Sequence, residues 1–160
     1  MLYLTHVVGG LSVGMLLTQY YVRPEERVAA LLIIGVASLL PDLDSQQSFV
    51  GSRMPFFSWL MSSVFGHRGF IHSLLGCAMW LVVIFLVLKM VGLDVYQGIV
   101  LSAFAIGYIT HLIMDILTLS GIPLLWPWKA KIRIPIARTG GLLEKLVILP
   151  ALSIFLFFQI

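Results

Sequence analysis

The chain has 160 residues, 60% of them hydrophobic and 11% charged, with a formal net charge of +3 at pH 7. This composition, with a mean hydropathy of +1.05, excludes a water-soluble enzyme with a conventional apolar core and leaves no room for a separate soluble domain, so a single integral membrane domain over residues 1–160 is expected. The lysines and arginines flank apolar runs, where topology and lipid anchoring account for them better than nucleic acid does, and the lone cysteine, Cys77, rules out an intrachain disulfide and a thiol metal motif.

Residues 2–22 form the first apolar run. With no basic leading region and no clear small-residue cleavage site, it reads as a retained span, and Gly10 and Gly14 give it the small-xxx-small spacing that lets helices approach closely. A charged turn at residues 23–27 leads to a second run, residues 28–40, that stops at Pro41 and is short against the roughly 20 residues of a full crossing. From Pro55 onward Phe56, Phe57, Leu60, Met61 and Val64 recur at helical spacing while Ser58, Ser62 and Ser63 fall elsewhere, the pattern of a short amphipathic helix lying in the membrane interface. Runs at residues 70–91 and 95–119, separated by a tight turn around Gly92 and Asp94, predict an antiparallel hairpin. An irregular loop follows, with Trp126, Trp128 and a ladder of Lys129, Lys131 and Arg133. The last run, residues 142–160, is expected to bend at Pro150. The fold class is therefore all-α, a polytopic membrane bundle of about five spans plus the interfacial helix.

Orientation follows from the basic residues. With the N-terminus in the cytoplasm, seven of them (Arg53, Arg68, Lys129, Lys131, Arg133, Arg138, Lys145) fall on the cytoplasmic side and three (Arg23, Arg27, Lys89) on the other, as the positive-inside rule prefers. The same arrangement gathers His6, Asp42, Asp44, His67, His72, His111, Asp115 and Glu144 at the cytoplasmic helix ends, although none of them was used to set it. Ionisable side chains are costly in a bilayer and mark functional sites there.

His111 and Asp115, four apart on a helix, share a face and suit either one metal ion or a His–carboxylate pair joining helices. Asp42 and Asp44 flank Leu43 after a proline; in extended geometry both would point to one side, while as helix caps they would bind no ion. His67 fits a loop folded over the start of the third span, so that it and His72 face one centre. Taken singly, His6 reads as an interfacial histidine, Arg68 as a snorkelling anchor, the basic ladder as a headgroup anchor and Glu144 as a helix-start carboxylate. Their convergence on one edge favours a shared site over coincident structural roles. Imidazole and carboxylate donors suit a divalent ion, zinc foremost with manganese or iron as alternatives, and eight candidates are enough for one ion or two with a bridging water as nucleophile.

The strings LLPDLDS (39–45), GHRGFIHSLLG (66–76), GYITHLIMDILT (107–118) and GIPLLWPW (121–128), followed by Glu144, resemble the YdjM family of bacterial inner-membrane proteins over nearly the whole chain. The resemblance implies a membrane-bound, metal-dependent hydrolase of the inner membrane, carries a LexA-related label, and equates His6, Asp42, Asp44, His67, His72, His111 and Asp115 with the family's polar motif positions, with Glu144 at a less distinctive acidic one. The chain departs from the family at Ser45, where many members have histidine. The expected activity is hydrolysis of a phosphoester in a lipid or lipid-linked substrate at the cytoplasmic interface. In that scheme Asp44 or Glu144 manages protons, Arg68 and Arg138 hold developing negative charge, and Lys129, Lys131 and Arg133 draw anionic headgroups. The rival readings are a non-enzymatic metal-binding or ion-handling protein and a tether that recruits a soluble regulatory partner.

Overall fold

A computed structural model of the chain describes residues 1–65, 69–128 and 130–159. Among these residues the architecture is all-helical, with two isolated β-bridges (Thr118 with Ala137, Ile122 with Ile132) as the only extended pairing. Six α-helices follow one another: α1 (Tyr3–Tyr21), α2 (Pro24–Ala37), α3 (Pro55–Phe65), α4 (Leu74–Met90), α5 (Gln97–Ile116) and α6 (Leu149–Phe157). α1, α2 and α5 pack mutually, α6 lies on α1, and α4 pairs with α5 as the expected hairpin.

The burial pattern is inverted relative to a soluble bundle. The buried positions of α1 are Thr5, His6, Gly9, Gly10, Ser12, Gly14 and Thr18, while its Leu4, Val13 and Leu16 are exposed. α4 is apolar along almost its whole length, yet buries only Gly76 and Cys77. Polar and small groups inside with leucine and valine outside is the arrangement that hydrocarbon solvent selects. Gly10 and Gly14 serve close approach, as their spacing predicts: a Cβ on Gly10 would lie 2.9 Å from Ser38 Cβ, and one on Gly14 2.8 Å from Ile34 Cδ1. Gly107 does the same for α5, where a Cβ would come within 2.3 Å of the Ile34 carbonyl oxygen.

Helix length supports one of the five expected spans by itself. Among the described residues one helical segment, Asp94–Ile116, is long and apolar enough to cross a bilayer by itself, and α4 is a shorter apolar helix. α2 has 14 residues, about 21 Å at 1.5 Å per residue, against a hydrocarbon core of about 30 Å. It begins at Pro24, four residues earlier than the hydrophobic run, because Pro24 fits a first helical turn and Glu25 and Glu26 lie at the positive end of the helix dipole. The last run is helical through Pro150, with a π-helical turn, Glu144–Ile148, directly preceding α6, which carries Pro150 at its second position. α3 forms where the amphipathic segment was expected, with Phe56, Phe57 and Trp59 outward and Ser58 buried.

Short turns set the edge where the polar residues meet. Pro41 stops α2 from continuing and starts a 3-10 turn, Leu40–Asp44. A second, Phe70–His72, precedes α4. It is fixed from two directions: buried Tyr108 on α5 donates its hydroxyl hydrogen to the Ile71 carbonyl, and Ser73 caps α4 by accepting from Gly76 N at 3.1 Å.

Candidate metal centre

Five side chains from four elements converge at one end of the bundle. α1 contributes His6, the Leu40–Asp44 turn Asp42, the Phe70–His72 turn His72, and the last two turns of α5 His111 and Asp115. His72 Nε2 and His111 Nε2 are 3.4 Å apart, and Asp115 Oδ2 lies 3.5 Å from the first and 3.7 Å from the second. All three residues are fully buried. Donors at about 2.0–2.2 Å from one ion in a tetrahedral shell lie about 3.3–3.6 Å from one another, so this triangle has the dimensions of one face of such a shell.

The tautomers agree with that fit. His111 Nδ1 is 2.7 Å from the Ser38 carbonyl oxygen. A carbonyl only accepts, so Nδ1 carries the proton and Nε2 presents its lone pair to the centre. His72 Nδ1 is 3.1 Å from Asp44 Oδ2, which fixes its tautomer in the same way. An imidazole held through Nδ1 by a carboxylate or carbonyl, with Nε2 free, is the usual arrangement of a metal-ligating histidine. His6 stacks on His111 with ring centroids 3.7 Å apart, an arrangement that two imidazolium rings would not favour. Its Nε2 is 3.4 Å from Asp115 Oδ1, and its Nδ1 has no hydrogen-bond partner among the described residues. A buried ring nitrogen without a partner is costly unless a ligand satisfies it.

Asp42 closes the open side. Its Oδ1 is 3.8 Å from His72 Nε2 and 4.0 Å from His111 Nε2, and its side chain is 16% exposed where the other four residues are sealed. Burial alone would raise the Asp42 carboxyl, but when the surrounding imidazoles carry protons in place of an ion the pull of His72, His111 and His6 outweighs it and holds Asp42 below the ordinary carboxylate range.

The remaining sequence candidates have other places. Asp44 faces His72 Nδ1 instead of the centre, because the turn is 3-10 and not extended: residues two apart on a three-residue turn cannot point the same way. Glu144, also expected as a ligand and proton carrier, is buried but accepts from Leu2 N and Gly140 N, each at 2.6 Å, and so joins the start of α1 to the chain before its own helical turn. The Met1 nitrogen lies 2.6 Å from Asp115 Oδ1. Among the basic candidates, Lys131, Arg133 and Arg138 are exposed, and Arg133 donates to the Leu119 carbonyl at 3.1 Å. His67, Arg68 and Lys129 lie outside the described residues. Sequence reasoning missed Ser38, whose contribution is a backbone carbonyl, and no signal in its side chain announces it.

No solved structure matches the chain. A family model described as YdjM inner membrane protein matches residues 1–159. The inner membrane protein YdjM of Escherichia coli K12 is 40% identical over 114 residues, which cover 68% of this chain and 56% of that protein, and its Shigella flexneri counterpart gives the same figures. The chain thus spans little more than half the length of those relatives. The Bacillus subtilis protein YvsG is 34% identical over 145 residues, covering 90% of this chain and 85% of its own. On the extent of these matches, the chain belongs to the YdjM family of inner membrane proteins.

Proposed function

We propose that the protein is a multi-pass, metal-dependent hydrolase of the bacterial inner membrane, with its N-terminus and its site at the cytoplasmic face, acting on a phosphoester of a lipid or lipid-linked substrate. The observation that carries the reading is the buried triangle of His72 Nε2, His111 Nε2 and Asp115 Oδ2, with edges of 3.4, 3.5 and 3.7 Å and both histidines oriented through Nδ1. These residues would hold one divalent ion, zinc in the first place, with His6 and Asp42 as the remaining donors. His111 has a single free nitrogen, so the two donor sets in which it takes part, with His72 and Asp115 or with His6 and Asp42, describe a single ion and not two. When bound, such an ion supplies a water of lowered pKa and polarises a phosphoryl oxygen.

The side chains do the rest. Asp44 and the Ser38 carbonyl keep His72 and His111 in the tautomer that faces the centre. Asp42 is the carboxylate that both reaches the centre and meets solvent, so it takes the proton that a hydrolytic water loses, a role expected from sequence for Asp44 or Glu144. The apolar exteriors of α4 and α5 keep the site at the membrane, where amphiphilic substrates are concentrated.

The ion-handling alternative needs a polar path through the bundle. Of the three buried hydroxyls along α1, Ser12 donates to the Leu152 carbonyl at 3.3 Å and Thr18 to the Met15 carbonyl at 3.3 Å, while Thr5, next to His6 at the site end of the helix, is without a partner among the described residues, so the two deeper hydroxyls line no path. The deciding experiment is metal content by mass spectrometry on detergent-purified wild type, His111→Ala and Asp115→Asn, followed by hydrolysis of a phosphodiester reporter. Stoichiometric metal in the wild type, its loss in both variants and metal-dependent turnover are expected. Metal without turnover on any phosphoester would refute the hydrolase; a folded wild type that takes up no zinc, manganese or iron would refute the metal centre.

A further inference from the structure

We propose that residues 131–138 form a docking strap for anionic phospholipid, in which Lys131, Arg133 and Arg138 hold headgroup phosphates while Ile132, Ile134 and Ile136 enter the edge of the acyl layer. The inference rests on the membrane placement of the proposed function and not on its chemistry. α5 has 20 residues, about 30 Å at 1.5 Å per residue, and so matches a hydrocarbon core of about 30 Å. Its last residue, Ile116, therefore stands where hydrocarbon gives way to headgroups. The strap is tied to that residue and the next one through the backbone: Ile134 N donates to the Ile116 carbonyl at 2.7 Å, and Ile136 N and Ala137 N donate to the Leu117 carbonyl, each at 3.2 Å. The end of the span thus sets the depth of the strap.

The side chains of the strap suit that depth. Basic residues and isoleucines alternate from Lys131 to Ile134, and Ile136 and Arg138 follow Pro135 and Ala137. All three basic residues and all three isoleucines are exposed, whereas Ala137, in its β-bridge to Thr118, is buried. Exposed isoleucines so close together are costly in water and favourable at the rim of the hydrocarbon. The lysine and arginine ion pairs among the described residues are those of Arg23 with Glu25 and Glu26, so the three strap cations have no carboxylate partner there. Uncompensated cations at the headgroup level attract anionic lipid. An acidic soluble partner would meet the same cations, but it would gain nothing from isoleucines at the edge of the acyl layer. The cations are also held in place, unlike those of a flexible basic tail. Ile122 N donates to the Ile132 carbonyl at 3.2 Å and Ile132 N to the Ile122 carbonyl at 2.9 Å. Arg133 Nη1 donates to the Leu119 carbonyl at 3.1 Å, which leaves its other N–H donors for a phosphate. Gly121, at φ +61°, makes room for this arm: a Cβ there would lie 2.7 Å from Arg133 Cβ. The strap ends next to Thr139, which with Asp42 lines a cavity of about 260 Å³, so lipid docked at Arg138 stands on the same rim as the open side of the candidate centre.

The test is the lipid selectivity of the full chain in phosphatidylcholine vesicles, read from quenching of its tryptophan fluorescence by dibrominated phosphatidylglycerol or dibrominated phosphatidylcholine. Trp126 and Trp128 precede the strap and report on it. One variant carries Lys131→Gln, Arg133→Gln and Arg138→Gln together. A second carries only Lys131→Gln and Arg138→Gln, which spares the Arg133 anchor and decides the question if the triple variant does not fold. Lys89→Gln, at the last turn of α4, is the charge control. Each cation near an anionic surface is worth about fivefold in affinity. The wild type is therefore expected to prefer phosphatidylglycerol at least tenfold, with or without zinc. The preference should fall to about twofold or less in the triple variant, weaken at least threefold in the double variant and stay unchanged in Lys89→Gln. No preference in the wild type, or the same preference in the wild type and the double variant, overturns the dock. A polyglutamate peptide that binds the wild type and not the variants, with no lipid preference, assigns the strap to an acidic soluble partner and overturns it too. Absence of metal with the lipid preference intact sinks the hydrolase and leaves the dock standing; loss of the preference with metal and turnover intact does the reverse.

Discussion

Replacing Asp44 separates a ligand from a residue that orients one. Asp44 is buried and its Oδ2 meets His72 Nδ1 at 3.1 Å, so its role is to fix the tautomer and plane of a histidine whose Nε2 faces the centre. Loss of such a partner typically lowers metal affinity by about 10–100-fold, or roughly 1.4–2.7 kcal/mol at 1.36 kcal/mol per decade. Asp44→Ala is expected to fall in that range while keeping a metal stoichiometry of one. Asp44→Asn retains an oxygen acceptor for Nδ1–H and should lose less than tenfold. His111→Ala removes a donor and should abolish stoichiometric binding. A competition titration against a fluorescent zinc chelator, on detergent-solubilised protein checked for helicity, ranks the three variants. If Asp44→Ala loses metal as completely as His111→Ala, Asp44 is itself a ligand and the geometric assignment is wrong. If its affinity matches wild type, the His72 orientation does not depend on it.

Glu144→Ala should leave metal stoichiometry intact while lowering stability by about 3 kcal/mol, two charge-assisted hydrogen bonds at roughly 1.5 kcal/mol each, read as a drop in thermal midpoint; coincident loss of metal would make Glu144 part of the centre. Gly107→Ala drives a methyl against the Ile34 carbonyl oxygen and should destabilise by about 1–3 kcal/mol, whereas Gly98→Ala, which meets nothing within 4 Å, should be neutral or stabilising by up to about 1 kcal/mol. Equal midpoints for these two would count against the close α2–α5 contact. Acidification from pH 7.5 to 5 should expel the ion, because protons compete for the imidazole nitrogens while Asp42, held low, stays ionised; dialysis at each pH followed by metal analysis checks this, and metal retained at pH 5 would refute imidazole ligation.

Much of the geometry of the candidate site was legible because its signals are local. The i, i+4 spacing of His111 and Asp115 survives into the helix, Gly10 and Gly14 meet α2 as their spacing implies, and Pro41 ends α2 where periodicity stops. What the sequence hid was the division of labour among chemically identical groups. Asp42 and Asp44 are the same residue type two positions apart, and only the handedness of a 3-10 turn sends one to the centre and the other to His72. Glu144 could not be told from a ligand because its partners are backbone amides, which every residue possesses. Arg53 was visible only as a topology charge, since the ring contact it makes with Phe49 is one that no periodicity encodes. The span count is less legible for a related reason: hydropathy measures composition over a run, whereas helix length depends on where the run is capped or broken, and Pro41 and Ser73 shorten the helices of the second and third runs.

The position of the ionisable groups along the helices bears on biogenesis. His6 is the fourth residue of α1, and His111 and Asp115 occupy the last two turns of α5. A nascent helix with its charges near one terminus can enter the bilayer while those side chains remain hydrated among the headgroups, where insertion is far less costly than at the membrane centre. Dehydration is deferred until α1 and α5 come together and each imidazole finds its carbonyl, carboxylate or ion. Insertion and formation of the buried cluster are then separate events, and if the cluster holds the proposed ion, a strain starved of metal should accumulate inserted but loosely associated helices that membrane proteases can recognise, instead of chains stranded in the cytoplasm.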